Sequence, residues 1–110
     1  EDVVDLAGIL PRIRALRPVD FRWKKDIYYQ PRQGTSDVGF LAQEVEEIFP
    51  AVIRKFIPPG MEEEMKGVAY EKLTPYIIKA IQELEQMYNK KFIELQARIL
   101  ALETKMDLNV

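Results

Sequence analysis

Few residues in this chain could do chemistry, and their types and spacing narrow the possibilities further. There is one serine, Ser36, with no histidine and no cysteine. A serine nucleophile here would have to rely on lysine as its base. No lysine is placed beside Ser36 by local spacing, and its neighbours Gly34 and Asp37 read as turn formers. The missing histidine also removes the commonest general base and metal ligand. Without cysteine there is neither a disulfide framework nor a thiolate metal site, which suits a reducing compartment. Glu44 and Glu47 could pair as acid and base only if their environments differed. Nothing in the sequence makes them differ, so both read as exposed helix-face residues, with Glu44 favoured by the positive end of the helix dipole. The run Glu62-Glu63-Glu64 points its side chains in different directions and lacks the spacing of an oxygen-ligand loop. It reads as a solvated loop. The expectation is no metal and no cofactor.

The segment from Arg12 to Arg32 mixes bases with Phe21, Trp23, Tyr28 and Tyr29, a composition suited to stacking on single-stranded nucleic acid. The alternation argues against that use: Val19, Phe21 and Trp23 share one face, while Asp20, Arg22 and Lys24 share the other. The aromatic residues therefore belong to a core. With 16 basic and 18 acidic residues, no whole-chain field attracts phosphate or an acidic membrane. Steep weakening of binding with salt would mark the nucleic-acid alternative. Gly34 and Gly39 make no phosphate loop. No apolar run approaches the roughly 20 residues of a membrane helix, and no stretch of the sequence reads as a signal peptide.

The elements that position these residues divide the chain at about residue 73. Val3, Leu6, Ile9, Leu10, Ile13 and Leu16 form a helical stripe interrupted by Pro11. Either Asp5 caps one kinked helix, or a short helix carries Pro11 in its first turn, where the missing N–H costs little. "RPVDFRWK" is a half-buried strand, and residues 25–37 read as a loop. In "GFLAQEVEEIFP" (39–50) the period changes: Gly39 to Ala42 ends a strand, then Leu41, Val45, Ile48 and Phe49 follow helical spacing until Pro50. "AVIRKF" (51–56) predicts a strand, 57–67 a turn-rich excursion, and "VAY" (68–70) a short strand. The mixture predicts a small α+β head over residues 1–73. Residues 74–110 form a long C-terminal helix beginning with Thr74 as N-cap and Pro75 in the first turn.

That helix carries a seam of Ile77, Ile81, Leu84, Tyr88, Phe92, Leu95, Ile99, Leu102 and Met106, spaced 4, 3, 4, 4, 3, 4, 3, 4. A heptad seam alternates threes and fours, so the doubled four around Tyr88 is a stutter that locally unwinds the supercoil. Lys79/Glu83, Lys90/Glu94 and Glu94/Arg98 read as opposite-charge neighbours on the outer face. The seam predicts partner helices. Ile99 and Leu102 at a-like and d-like positions lean toward a dimer in parallel coils.

Three ordered stretches, "LRPVDFRWK" (16–24), "GFLAQEVEEIFP" (39–50) and "KGVAYEKLTPYIIKAIQELEQM" (66–87), resemble the C-terminal intramolecular chaperone domain of phage tailspikes and tail fibres. This is the self-cleaving, endosialidase-type peptidase domain, whose relatives include the cleavage domain of the myelin regulatory factor. The resemblance runs from about Leu10 to Met87. Its motif residues here are Pro18, Phe21, Trp23, Gly39, Phe40, Ala42, Gln43, Glu44, Val45, Tyr70 and Leu73.

The resemblance implies a homotrimer that brings three fibre chains into register, folds the fibre portion of its own precursor, and is cut free by a serine–lysine dyad. It implies action in the host cytoplasm during virion assembly, absence from the mature virion, and no membrane or nucleic-acid partner. The alternative it leaves is a trimerising self-cleavage domain of a membrane-tethered transcription factor. The family dyad sits in a Ser-Asp motif just upstream of the first helix. Because this chain starts at Glu1, not Met, it reads as a piece of a longer protein, with the dyad expected before that point. No catalytic residue is assigned within it, and Ser36-Asp37 is not given that role.

Overall fold

The computed structural model describes residues 1–22 and 36–108. The order is α1 (Leu10–Arg14), β1 (Val19–Arg22), β2 (Ser36–Gly39), α2 (Ala42–Ile48), a 3-10 turn (Pro50–Val52), β3 (Ile53–Phe56), β4 (Met65–Val68) and α3 (Tyr70–Leu108). A small mixed head with two hairpins is followed by one long helix, and the molecule is extended, 81 × 42 × 19 Å. This is the predicted α+β architecture. Trp23 and most of the predicted loop lie outside the described residues.

Of the two readings of the first helix, the short one holds, with Pro11 in its first turn and no side chain of its own sequence capping it. β1 alternates as expected, with Val19 and Phe21 half-buried and Asp20 and Arg22 exposed. It pairs antiparallel with β2 in the register Val19–Gly39, Phe21–Asp37 and Arg22–Ser36. Ser36 and Asp37 are therefore strand residues, not the end of a loop. Their turn propensity is overridden by ladder hydrogen bonds to β1, a tertiary gain that local sequence does not show. β2 ends at Gly39, and Ala42 already starts α2.

Two other boundaries move. The strand after Pro50 starts at Ile53, because Pro50–Val52 forms a 3-10 turn that buries Val52. Its hairpin partner is Met65–Val68, not residues 68–70. Tyr70 instead opens α3, four residues before Thr74, so Pro75 lies inside the helix. Proline there removes the N–H that would reach the carbonyl of Glu71. The early start is fixed by contacts: the Ala69 N–H donates to the Val52 carbonyl at 2.8 Å and Lys72 to Ala69 at 2.9 Å. Leu73, one turn in, is 1% exposed. Burying it on a helical backbone outweighs one missing hydrogen bond.

The core is small and sits where α1, α2 and the first turns of α3 meet: Ile9, Val45, Phe49, Val52, Leu73 and Ala80. Arg12 of α1 joins the three helices. Its guanidinium lies 4.3 Å from the centroid of the Phe49 ring and 5.8 Å from that of Tyr76. The same side chain donates to the Ile48 carbonyl at 2.6 Å, the end of α2. Phe49 and Tyr76 pack with centroids 4.6 Å apart.

Candidate functional site

The stretches singled out by motif converge on one corner of the head. α2 amphipathicity drives the arrangement: Val45 is fully buried, which turns Glu44 and Glu46 toward neighbouring elements. Glu44 accepts two hydrogen bonds from Arg17, from Nε at 3.0 Å and Nη2 at 2.5 Å. Glu46 accepts from Lys66 Nζ at 2.6 Å. The middle motif is thus tied to the first by one ion pair and to the third by another. Both carboxylates are half-buried and paired, whereas Glu47 is exposed, so the environments that sequence left alike are unlike. Each pair is a structural tie between motifs.

Tyr70 makes a further tie. Its hydroxyl accepts the Phe40 N–H at 3.2 Å, and its ring stacks on Phe40 with centroids 6.1 Å apart. A Cβ at residue 39 would lie 2.6 Å from that hydroxyl, so the contact requires glycine. Gly39→Ala is expected to destabilise the head by roughly 1–3 kcal/mol, the cost of overpacking. Tyr70→Phe removes the clashing oxygen and is expected to recover most of the loss. A double-mutant cycle by urea unfolding measures this, and additive losses would overturn the contact as the cause.

Beside this corner lies an open groove of about 390 Å³, lined by Phe21, Val38, Phe40, Gln43, Lys66 and Tyr70 among others. Ala42 is half-buried, Gln43 and Pro18 are exposed, and Leu73 is in the core. Ser36 is exposed in a shallow groove with Asp20, Phe21 and Arg22, and no lysine is among those lining residues. Glu62, Glu63 and Glu64 are all exposed. No cluster of three or more potential metal ligands occurs among the described residues. No helix among them is long and apolar enough to cross a membrane.

Glu83 has a role its spacing did not reveal. The pattern pairs it with Lys79, but its carboxylate reaches back to α1. Oε2 accepts the Gly8 N–H at 2.9 Å, and Oε1 accepts those of Ile9 at 2.7 Å and Leu10 at 2.8 Å. Gly8 at φ +67° and Ile9 at φ −87° turn these amides to one side, forming a nest for an anion. Glu83 therefore supplies the cap that α1 lacks. Desolvation pushes its carboxyl upward, but the three backbone donors outweigh it, and the group sits below the usual carboxylate range. Glu44, held by the Arg17 hydrogen bonds, and Glu46, held by Lys66, are lowered as well.

A folded-state pKa below the unfolded one adds stability above the unfolded value, and that stability is lost as pH falls through the folded value. With no histidine to titrate, stability is expected to stay level from pH 8 to about pH 5 and fall below about 4.3, the free-glutamate range. Thermal melts across that range check it. A drop between pH 7 and 5 would contradict the assignment to these three carboxylates.

Along α3 the seam separates from the face that meets the head. Leu73, Tyr76, Ala80 and Met87 turn inward, while Ile77, Ile81, Tyr88, Phe92, Leu95, Ile99, Leu102 and Met106 are exposed, and Leu84 is half-buried. Every residue from Tyr88 to Leu108 is exposed. At ~1.5 Å per residue, about 30 Å of helix stands clear of the head.

Compared with known proteins, residues 1–54 match the family model described as "Chaperone of endosialidase", a family of self-cleaving serine peptidases. The match runs from the N-terminal arm into β3 and includes the first two motifs, while the third lies beyond it. No curated protein matches the chain.

Proposed function

We propose, from the match of residues 1–54 to the endosialidase-chaperone family model, that the chain is an intramolecular chaperone module. It associates as a homotrimer and guides the folding of a phage tail fibre or tailspike from the same precursor. Autoproteolysis then releases it. The observation that carries this reading is the apolar seam of α3, exposed along the length of helix that no described part of the head covers. A single chain gains nothing by displaying such a face to water, whereas neighbouring copies bury it. The module acts in the host cytoplasm during virion assembly, and the mature virion lacks it.

Light scattering of the purified chain at micromolar concentration tests the reading. A mass three times that of one chain is expected, and a clean monomer overturns it.

Cleavage, in this reading, uses a serine–lysine dyad outside this chain, and Ser36 takes no part. In β2 it is held by the ladder to Arg22, with no lysine lining its groove among the described residues. Ser36→Ala in a self-cleaving parent chain is expected to leave the extent of cutting unchanged by mass spectrometry. An uncut product would identify Ser36 as the nucleophile.

A further inference from the structure

Among the described residues, the first backbone groups of the chain to be held are three amides, and one side chain holds them. Residues 1–7 are exposed, and no hydrogen bond or ion pair joins them to another described residue. At Gly8, Ile9 and Leu10 the Glu83 carboxylate takes over, its two oxygens shared among three N–H groups.

Two anchors meet at this point, and they do different things. The Ile9 side chain is 2% exposed, in the core with Leu73 and Ala80, which fixes where the backbone enters the head. Apolar burial is non-directional and leaves open the angle at which the chain arrives. Hydrogen bonds to a charged acceptor are directional and strong. With both oxygens engaged across the turn at Gly8, the carboxylate sets that angle. The arm before it runs beside the first turns of α3, where Val4 and Leu6 border a groove with Pro75, Ile78 and Gln82.

We infer that Glu83 is a positioning residue for the release cut: it aims the polypeptide leading into Gly8, and with it the dyad and the bond to be broken. The inference rests on the autoproteolytic release proposed above and adds a residue of this chain on which that release depends. In the cut, the serine oxygen adds to a peptide carbonyl while lysine takes its proton. The C–N bond then breaks, that proton passes to the departing amine, and water hydrolyses the ester. Such a step needs nucleophile, base and carbonyl in register, and a displacement of about 1 Å costs about 100-fold. Glu83 also sets an order. It lies 75 residues after Gly8, on α3, the last element in chain order. An arm aimed by α3 is not aimed until α3 has been made and packed, so the cut waits for the finished head.

The test follows cutting of a self-cleaving parent chain over time by mass spectrometry, with light scattering and a thermal melt for each variant. Glu83→Ala is expected to slow the cut roughly 10–100-fold while the parent stays assembled. Glu83→Gln keeps one acceptor oxygen for the amides and is expected to fall between Glu83→Ala and wild type. Gly8→Ala strikes the same contact from the other side. Its Cβ would meet nothing within 4 Å, so only the turn at φ +67° suffers, and the cut should slow again. Val68→Ala, in the β3–β4 hairpin, is the control: it should lower the melt and leave the rate of cutting at the wild-type value. A Glu83→Ala parent cut at the wild-type rate overturns the inference and leaves release standing. So does a loss of cutting that simply tracks melting temperature across the four variants. A wild-type parent that stays whole removes both.

Discussion

Phe49→Ala is expected to leave the head largely unfolded. Phe49 is 1% exposed and closes α2 at the centre of the core, against Tyr76 of α3 and beneath Arg12 of α1. Truncating a buried phenylalanine removes about 3–5 kcal/mol through lost burial and the cavity left behind. A small domain holds only about 5–15 kcal/mol in total. The loss is compounded here because the core comprises few of the described residues, and the ring is also the surface on which the Arg12 guanidinium rests. Hydrogen exchange at Ile13, Val45 and Val68 measures the outcome, with near-complete loss of protection expected. Phe56→Ala is the control, since Phe56 is 42% exposed and its loss should cost far less. Equal effects of the two substitutions would contradict the placement of the core.

Leu95→Asp is expected to do the opposite: spare the head and abolish assembly. In a single chain Leu95 is 54% exposed, so a carboxylate there meets water and disturbs little. In a trimer it would place three carboxylates in one dry layer, each at a cost of several kcal/mol unless the layer opens. The assembly should therefore dissociate to monomers. The free end of α3 should then lose helicity, because a helix without tertiary packing is marginal in water. Light scattering paired with circular dichroism reads both effects. An unchanged mass would show that the seam does not hold the copies together.

What sequence made legible, and what it did not, follows the range of the forces involved. Alternation located β1 and helical spacing located α2 and the apolar stripe of α3, because each signal lies within a few residues of its effect, while Pro11 left a kinked and a short first helix equally open. Ser36-Asp37 and Thr74-Pro75 misled for the same reason. Their local preferences are genuine, but pairing with β1 and the burial of Leu73 decide those backbones. The ties at the motif corner join residues 27 and 20 apart, Arg17 to Glu44 and Lys66 to Glu46, and no local pattern announces them. The only available hint was that both glutamates flank a position, Val45, whose burial turns them toward other elements. Glu83 was harder still. Four residues from Lys79 it has an obvious local partner, and the amides it binds lie at the other end of the chain.

The Glu83 contact has a mechanical consequence. It joins residues 75 apart, Gly8 to Glu83, and so closes the whole head into a loop bypassed by a short bridge. Tension applied between the N-terminal arm and the far end of α3 crosses that bridge into the helix, and the hairpins lie off the line of force. While the three amides hold, pulling meets a short, stiff strut. Once they and the core that packs Ile9 against Leu73 and Ala80 both give way, a contour of about 250–270 Å becomes available to the load, at roughly 3.3–3.6 Å for each shielded residue. The Glu83 carboxylate and the core beside it thus stand together between a taut molecule and a slack one.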